Sequence, residues 1–504
     1  MSRAALVVGG GIAGLLAARR LRAQGWEVSL AEATSMLGGT LSARFLEVPT
    51  RSESGGATVQ TLELDGGAES FAVRGAAVRA LVEEVGLGDR VVSPEPLGSW
   101  LHGPHGPAPS PRLGMVGIPG DLDACDLARA LTADGLFRAR LDATAPMTRW
   151  AEALAHGARV TVAELVADRM GQEVLDRLVA PVVSGVHSAD PSAVEIERVA
   201  PGLLAAAVEH GSLAAGVAAL RGSGTPGAAV AGIDGGISRL TGRLVETLRE
   251  DGVTVLRGVQ VAALSRVGAT GGWWAQISDR DEEVVRGLEV DRVVLAVDGP
   301  EAWSLLAPLS HGALDPEAGP RLTEGIALAT LVVEAPGLDD APRGTGVLVA
   351  PGAVDEQGAP IHAKAMTHAT AKWAWLREVV ERPDADGVPR HPHRHVLRLS
   401  YGRTGAGDQD LGHRSTDEQI LSAALHDAAA LTGVPLPSED VLATAVTRWR
   451  RPIPPQTGPD REATDALIAW AADVPGLDLV GAWIHGTGLV AVVAGVERTF
   501  APAP

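Results

Sequence analysis

The chain has 504 residues, 46% of them hydrophobic, which is enough apolar material for two or three packed domains. Its 43 Lys and Arg against 62 Asp and Glu give a formal charge of -19, which excludes a nucleic-acid binder that must neutralise phosphates with a basic face. The one cysteine, Cys125, excludes an internal disulfide and a cysteine-rich metal site, and fits a reducing, cytoplasmic setting. The first element is a short buried strand over Ala4 to Val8. Gly9, Gly11 and Gly14 then satisfy G-x-G-x-x-G, and Ile12, Leu15, Leu16 and Leu21 carry helical periodicity until Gly25 stops it. The stretch "WEVSLAEA" reads as a second strand ending at Glu32. Strand, glycine turn, helix, strand and then an acid is the context a dinucleotide site requires. In that reading Gly9 permits the tight turn, Gly11 lets backbone N–H groups approach a diphosphate, and Gly14 lets the helix lie close to the strand. Glu32 accepts hydrogen bonds from ribose hydroxyls. The amino terminus carries no signal-peptide pattern, and no run of 18 apolar residues predicts a transmembrane helix.

Beyond Glu32 comes a second glycine pair, Gly38-Gly39 in "ATSMLGGT", and then "LDGGAESF". A Pro/Gly-rich loop, "SPEPLGSWLHGPHGPAPSPRLGMVGIPG", leads into Ala/Leu/Val helices. The stretch "GISRLTGRLVETLREDG" is an amphipathic helix with Leu240, Leu244, Val245 and Leu248 on one stripe. "VTVLRGVQVAAL" and "DRVVLAV" return to strands, as do "ALATLVVEA" and "HVLRLSYG". His391, His393 and His395 alternate, so on a strand they would share a face. With no acid or cysteine at ligand spacing, a polar loop entering a strand is the stronger reading and no metal is expected. Trp373 and Trp375 read as packing. The last segment, "PGLDLVGAWIHGTGLVAVVAGVERTF", reads as strand, glycine turn and helix. No internal repeat is evident.

"EATSMLGGT" followed by "GGAESF" resembles the flavin-dependent amine oxidase and protoporphyrinogen oxidase superfamily. "PVVSGVHSADP", "HGSLAAGVAALR", "GTGVLVAP", "KAMTHATAKWAW" and "GAWIHGTGLVAVVAGVERT" are similar to protoporphyrinogen and coproporphyrinogen III oxidases, nearest to those of Gram-positive actinobacteria. These blocks lie in the family's order and cover most of the chain.

The resemblance implies an α/β fold: a Rossmann-like FAD-binding domain assembled from 1–92, 225–300 and 445–504, a mainly helical insert over 93–224, and a mixed α+β substrate domain over 301–444. It implies FAD, held non-covalently, since Cys125 is not in the carboxy-terminal segment. The implied contacts from the first unit are Gly9, Gly10, Gly11, Ile12, Ala13 and Gly14, with Glu32 and Ala33. Those from the second glycine region are Gly38, Gly39, Thr40, Gly67, Ala68, Glu69 and Ser70. Later contacts are Val261, Trp449, Gly486, Thr487, Gly488 and Leu489. Ala482 stands where many flavoproteins place Asp, so no carboxylate contact is expected there. The implied reaction is oxidation of coproporphyrinogen III to coproporphyrin III by O2 with release of H2O2, in haem synthesis. Protoporphyrinogen IX, an amine or a polyene as substrate, and FAD binding without turnover stay open. Arginines are expected at substrate carboxylates; the candidates are Arg74, Arg398, Arg403, Arg448, Arg450 and Arg451, with Lys364. No catalytic acid or base is assigned. The family's "P-Q-Y-T-x-G-H" departs here: Pro455 and Gln456 are present, but no Tyr or His follows, and His187 stands where relatives often carry an aromatic. Docking on a ferrochelatase, peripheral membrane contact and the oligomeric state stay open.

Overall fold

The computed structural model describes residues 3–51, 57–73, 75–111, 114–187, 190–221, 230–268, 271–279, 285–320, 325–382, 391–403, 411–450 and 459–501. Arg74, Arg451, Pro455, Gln456 and the His187 side chain lie outside the described residues. β1 (Ala4–Val8), α1 (Ile12–Ala23) and β2 (Glu27–Glu32) form the opening unit in the predicted order; β1 has its predicted ends, and α1 stops two residues before Gly25. β1 is the central strand of a five-stranded parallel sheet, in the order Thr254–Arg257, β2, β1, Arg292–Leu295, Leu477–Leu479. A parallel sheet must be covered on both faces, which is why β1 is apolar throughout. On one face α1 packs with the helices Ser238–Glu250 and Leu489–Thr499, through residues such as Leu16, Leu240, Leu244 and Val493. The other face meets a three-stranded antiparallel meander, Val259–Val267, Gly272–Asp279 and Val285–Val290, around buried Trp273.

A second, seven-stranded sheet runs Val441–Trp449, Ile326–Glu334, Arg394–Tyr401, Ala365–His368, Gly346–Val349, Trp100–Gly103, Gly106–Pro109. Side chains alternate along each strand. Ala327, Ala329, Leu399 and Tyr401 therefore pack on one face against Ile420, Ala424 and Leu431 of the helix Asp417–Thr432. Ile326, Leu328, Thr367, Arg398 and Ser400 line a cavity on the opposite face.

Two expectations change here. The boundary at 445 falls inside Val441–Trp449, which pairs along its length with Ile326–Glu334, so the first strand of that carboxy-terminal stretch belongs to the larger sheet. Among the described residues the proline-rich loop also holds four strands, of which Gly114–Met115 and Ile118–Pro119 pair with each other. Gly106–Pro109 is an edge strand, where proline has no ladder bond to lose, and Trp100–Gly103 joins it to Gly346–Val349. A long hairpin, β3 (Ala43–Arg51) and β4 (Ala57–Asp65), was not foreseen; Leu46, Val48, Leu62 and Leu64 bury its inner face against Trp373 and Leu376.

The helices between Leu127–Ala130 and Leu213–Arg221 enclose their own core. Arg169 is buried there, donating to Asp142 Oδ1 at 2.7 Å and to the carbonyls of Asp142, Ala145 and Pro146. Asp142 in turn accepts from the Leu213 and Ala214 N–H groups, which fixes the start of the last helix of this unit. Among the described residues no single helix is long and apolar enough to cross a membrane. The bent pair Leu203–His210 and Leu213–Arg221, which passes that test jointly, contributes Leu203, Leu204, Leu213 and Val217 to the core of this unit.

Candidate active site

A cavity of about 710 Å³ lies between the two sheets. Its first wall is the glycine turn with Gly11, Ile12 and Ala13, beside Gly38 and Thr40 and the run Gly67, Ala68, Glu69 and Ser70. Gly9, Gly10 and Gly14 stand behind this wall. A Cβ on Gly14 would fall 1.9 Å from the Gly9 carbonyl oxygen, and one on Gly10 would fall 2.3 Å from Leu37. Gly11 is different: a Cβ there meets nothing within 4 Å, and its φ of -71° and ψ of 176° suit any residue. The absence of a side chain at Gly11 leaves space in the cavity rather than permitting a strained backbone. Glu32 holds the turn from behind, accepting from the Gly10 N–H at 2.8 Å and from the Thr34 N–H and hydroxyl. Glu32, Ala33, Gly39, Val261 and Gly486 are not among the residues lining this cavity. Val261 is 3% exposed, in the core beneath the parallel sheet.

The second wall is Ala296 to Pro300, at the carboxyl end of the strand Arg292–Leu295. The strand was legible, but its role in the cavity was missed. The rule that ligands bind beyond the carboxyl ends of parallel strands was the available signal. Asp298 lies here and caps the helix Gly299–Leu306, accepting from the Glu301 N–H at 3.0 Å.

The third wall is carboxy-terminal, from Gly481, Ala482, Trp483, Thr487, Gly488 and Leu489. Its strand and final helix agree with the sequence reading, but a one-turn helix, Ala482–His485, interrupts the expected glycine turn. Gly488, like Gly11, has open space where a Cβ would be. Neither α1 nor the helix Leu489–Thr499 has a side-chain cap, so two helix amino-terminal ends with uncapped side-chain positions open on one cavity.

The seven-stranded sheet supplies the remaining wall and its cations. Lys364, 1% exposed, donates from Nζ to the Gly402 carbonyl at 2.9 Å. Burial, helped by the neighbouring Arg403 guanidinium, lowers its pKa to about 7. Arg398 donates to Glu69 Oε2 at 2.8 Å and to the Gly67 carbonyl at 2.7 Å, while Lys372 bonds the other Glu69 oxygen. Desolvation opposes ionisation of Glu69, but these two cations overcome it and lower its pKa to about 2. Trp449 lines the cavity and donates from Nε1 to the Gly66 carbonyl at 3.2 Å.

The expected arginine set is therefore mostly structural. Arg403 donates to the Val349 and Ala363 carbonyls, and Arg448 donates to the His413 and Ser415 carbonyls and pairs with Asp417. Arg450 is exposed and outside the cavity lining. Of the described candidates only Arg398 and Lys364 reach the cavity. Trp373 is packed, 2% exposed, and Trp375 is half-buried; neither lines the cavity. The aromatic surface there is Trp449 and Trp483. His393 and His395 share Asp339, and His391 meets the Thr50 hydroxyl. Among the described residues no cluster could hold a metal ion. Cys125 is exposed and away from the cavity lining.

Residues 12–496 match the model of the family described as flavin containing amine oxidoreductase. The chain belongs to this family. Its curated relatives include coproporphyrinogen III oxidase of Mycobacterium tuberculosis, 32% identical over 98% of this chain and 96% of the relative. The Bacillus subtilis protein of the same name is 24% identical over 96% and 94%. Among solved structures, an Exiguobacterium protein provisionally named protoporphyrinogen oxidase superposes with a TM-score of 0.75, at 23% identity over 99% of this chain and 98% of its own. Putrescine oxidase bound to putrescine superposes at 0.59, with 16% identity over the same shares. The two structures share the fold with this chain, which is the α/β, Rossmann-like arrangement the sequence implied.

The protein is an FAD-dependent oxidoreductase of this family. The cavity fits that cofactor on three counts. It is open above Gly11 and Gly488, where any side chain would intrude. Two uncapped helix amino-terminal ends face it, as an anionic diphosphate and an electron-rich ring require. The Arg398 Nε, in its wall, is buried without a hydrogen-bond partner among the described residues.

Proposed function

We propose that the protein oxidises coproporphyrinogen III to coproporphyrin III, with O2 as acceptor and H2O2 as product, in haem synthesis. The observation that carries this reading is near-full-length similarity to coproporphyrinogen III oxidases at up to 32% identity, on a chain whose cavity meets the requirements of a flavin. FAD, when bound, supplies the hydride acceptor and the route to O2. Gly11, Ile12 and Ala13 would hold the diphosphate by backbone N–H groups, on a turn that Glu32 fixes from behind through the Gly10 N–H. Gly38, Thr40 and the run Gly67 to Ser70 flank the remainder of the nucleotide. Thr487, Gly488 and Leu489 would offer the flavin a helix terminus, whose partial positive charge would stabilise negative charge on it. Ile326, Leu328, Trp449 and Trp483 present an apolar and aromatic surface to the macrocycle and keep water from it. Oxidation at a bridge carbon needs contact and alignment more than a strong base, so this wall orients the substrate.

Lys364 meets a substrate carboxylate in its protonated form. With a pKa near 7 the lysine is cationic below neutrality and neutral above it. The KM for the porphyrinogen is therefore expected to rise as pH passes upward through about 7, with kcat less affected. Lys364→Met removes that pH dependence and shows the high KM throughout. A KM profile that stays flat in the wild type contradicts the assignment.

The substrate itself is tested by comparing coproporphyrinogen III with protoporphyrinogen IX under air, read by porphyrin fluorescence. The additional carboxylates of the former favour its kcat/KM by at least about tenfold, the worth of one charge-assisted hydrogen bond. Equal or reversed values would remove coproporphyrinogen as the preferred substrate.

A further inference from the structure

Asp427 lies outside the cavity lining, yet its carboxylate reaches both chain segments that hold Lys364. It is wholly buried on the helix Asp417–Thr432. Oδ2 accepts from the Ala363 N–H at 2.8 Å and from the Tyr401 hydroxyl at 3.2 Å, and Oδ1 accepts from the His362 N–H at 3.3 Å. Ala363 precedes Lys364 in the chain. Tyr401 precedes Gly402, whose carbonyl accepts from Lys364 Nζ at 2.9 Å. Gly402 has φ of +98°, and a Cβ there would fall 2.4 Å from the Gly325 carbonyl oxygen, so this carbonyl sits at a tightly constrained turn. One buried carboxylate thus ties together the segment that carries the ammonium group, just before the strand Ala365–His368, and the segment that receives it, just after the strand Arg394–Tyr401. Behind it, His426 bonds Asp427 at 3.2 Å through Nδ1 and Asp355 at 3.0 Å through Nε2, which extends the network to the loop at 350–360.

We infer that Asp427 is a positioning residue, which fixes Lys364 in the cavity wall by clamping the backbone on both sides of the Lys364–Gly402 hydrogen bond. A carboxylate buried against two N–H groups and a hydroxyl is held by full satisfaction of its lone pairs, and such networks rigidify what they join. Replacing it with an amide presents an N–H donor to groups that are themselves donors, so the clamp opens and water reaches the ammonium group. The other ionisable groups on the elements packed here are His426 and Asp355 behind Asp427, His362, Arg403, Arg398 with Glu69, and Tyr401. In Asp427→Asn, His426 and Tyr401 meet an amide in place of the carboxylate, and the others keep their partners. The kinetic arm of the test below rests on the proposed porphyrinogen oxidation; the labelling arm does not.

The experiment is trace acetylation of the FAD-loaded protein with acetic anhydride across pH, with Lys364 followed by peptide mass spectrometry. The wild-type midpoint is expected near 7. Asp427→Asn is expected to raise it by at least about one unit as burial is relieved, with flavin content unchanged. Tyr401→Phe, which keeps both backbone hydrogen bonds, raises it by less and remains informative if Asp427→Asn does not fold. In the kinetic arm Asp427→Asn lowers kcat/KM about tenfold, and the Lys364→Met, Asp427→Asn double variant is no worse than Lys364→Met alone. A Lys364 midpoint unmoved in Tyr401→Phe and in every folded Asp427 variant overturns the inference, as do losses that add in the double variant. If coproporphyrinogen is not oxidised even by the wild type, the labelling shift still decides the role of Asp427.

Discussion

Gly11→Val is expected to yield a folded protein that has lost its flavin. The glycines of the first turn differ in what a side chain would meet. A Cβ at Gly14 would overlap the Gly9 carbonyl oxygen at 1.9 Å, so Gly14→Ala damages the fold itself. At Gly11 a Cβ touches nothing within 4 Å and the backbone is ordinary extended chain, so valine costs little in the empty protein. That open space lies at the uncapped start of α1, the proposed diphosphate site. Excluding the diphosphate removes two or more charge-assisted hydrogen bonds, so FAD binds at least about 100-fold more weakly. Spectrophotometric titration of the apo-protein measures this, with thermal melting of the apo-form as the control. An FAD affinity within a factor of a few of the wild type would place the diphosphate elsewhere.

The second large effect is expected at Glu69. Its carboxylate lies between Arg398 and Lys372, joining the run beside the glycine turn to the seven-stranded sheet. Glu69→Gln leaves two cations near each other in a wall where Glu69 is only 13% exposed, at a cost of about 3 kcal/mol or more. The wild-type contribution follows the sign of the shift. A carboxyl lowered from 4.5 to about 2 stabilises the fold fully above 4.5, and loses that contribution as pH falls toward 2. Denaturant unfolding at neutral pH should therefore separate the two proteins clearly, and the gap should narrow only in that acid window. Equal unfolding midpoints at neutral pH would mean that the triad stabilises nothing.

The opening unit was legible to within a residue or two because each of its signals is local. Apolar runs fix β1 and β2, and glycines fix the turn and the end of α1. The amphipathic stripe of Leu240, Leu244, Val245 and Leu248 was equally local, and all four are buried. The arginines were not legible. A guanidinium that satisfies buried carbonyls, as Arg403 does at Val349 and Ala363, has the same composition signal as one that waits for a carboxylate. The hairpin of β3 and β4 and the edge strand at Gly106–Pro109 depend on partners far along the chain or on tolerance of proline at an edge. Asp427 did leave a trace. It interrupts the buried stripe Ile420, Ala424, Ala428 and Leu431, and a lone acid on an apolar helix face calls for buried donors nearby.

The proposed oxidation is tested most directly by anaerobic mixing of FAD-loaded protein with coproporphyrinogen III, followed at once by flavin absorbance and porphyrin fluorescence. The expected result is bleaching of the flavin band in step with porphyrin formation, and recovery of the band with release of H2O2 when air is admitted. A flavin that stays oxidised with this porphyrinogen, but bleaches with an amine, would contradict it.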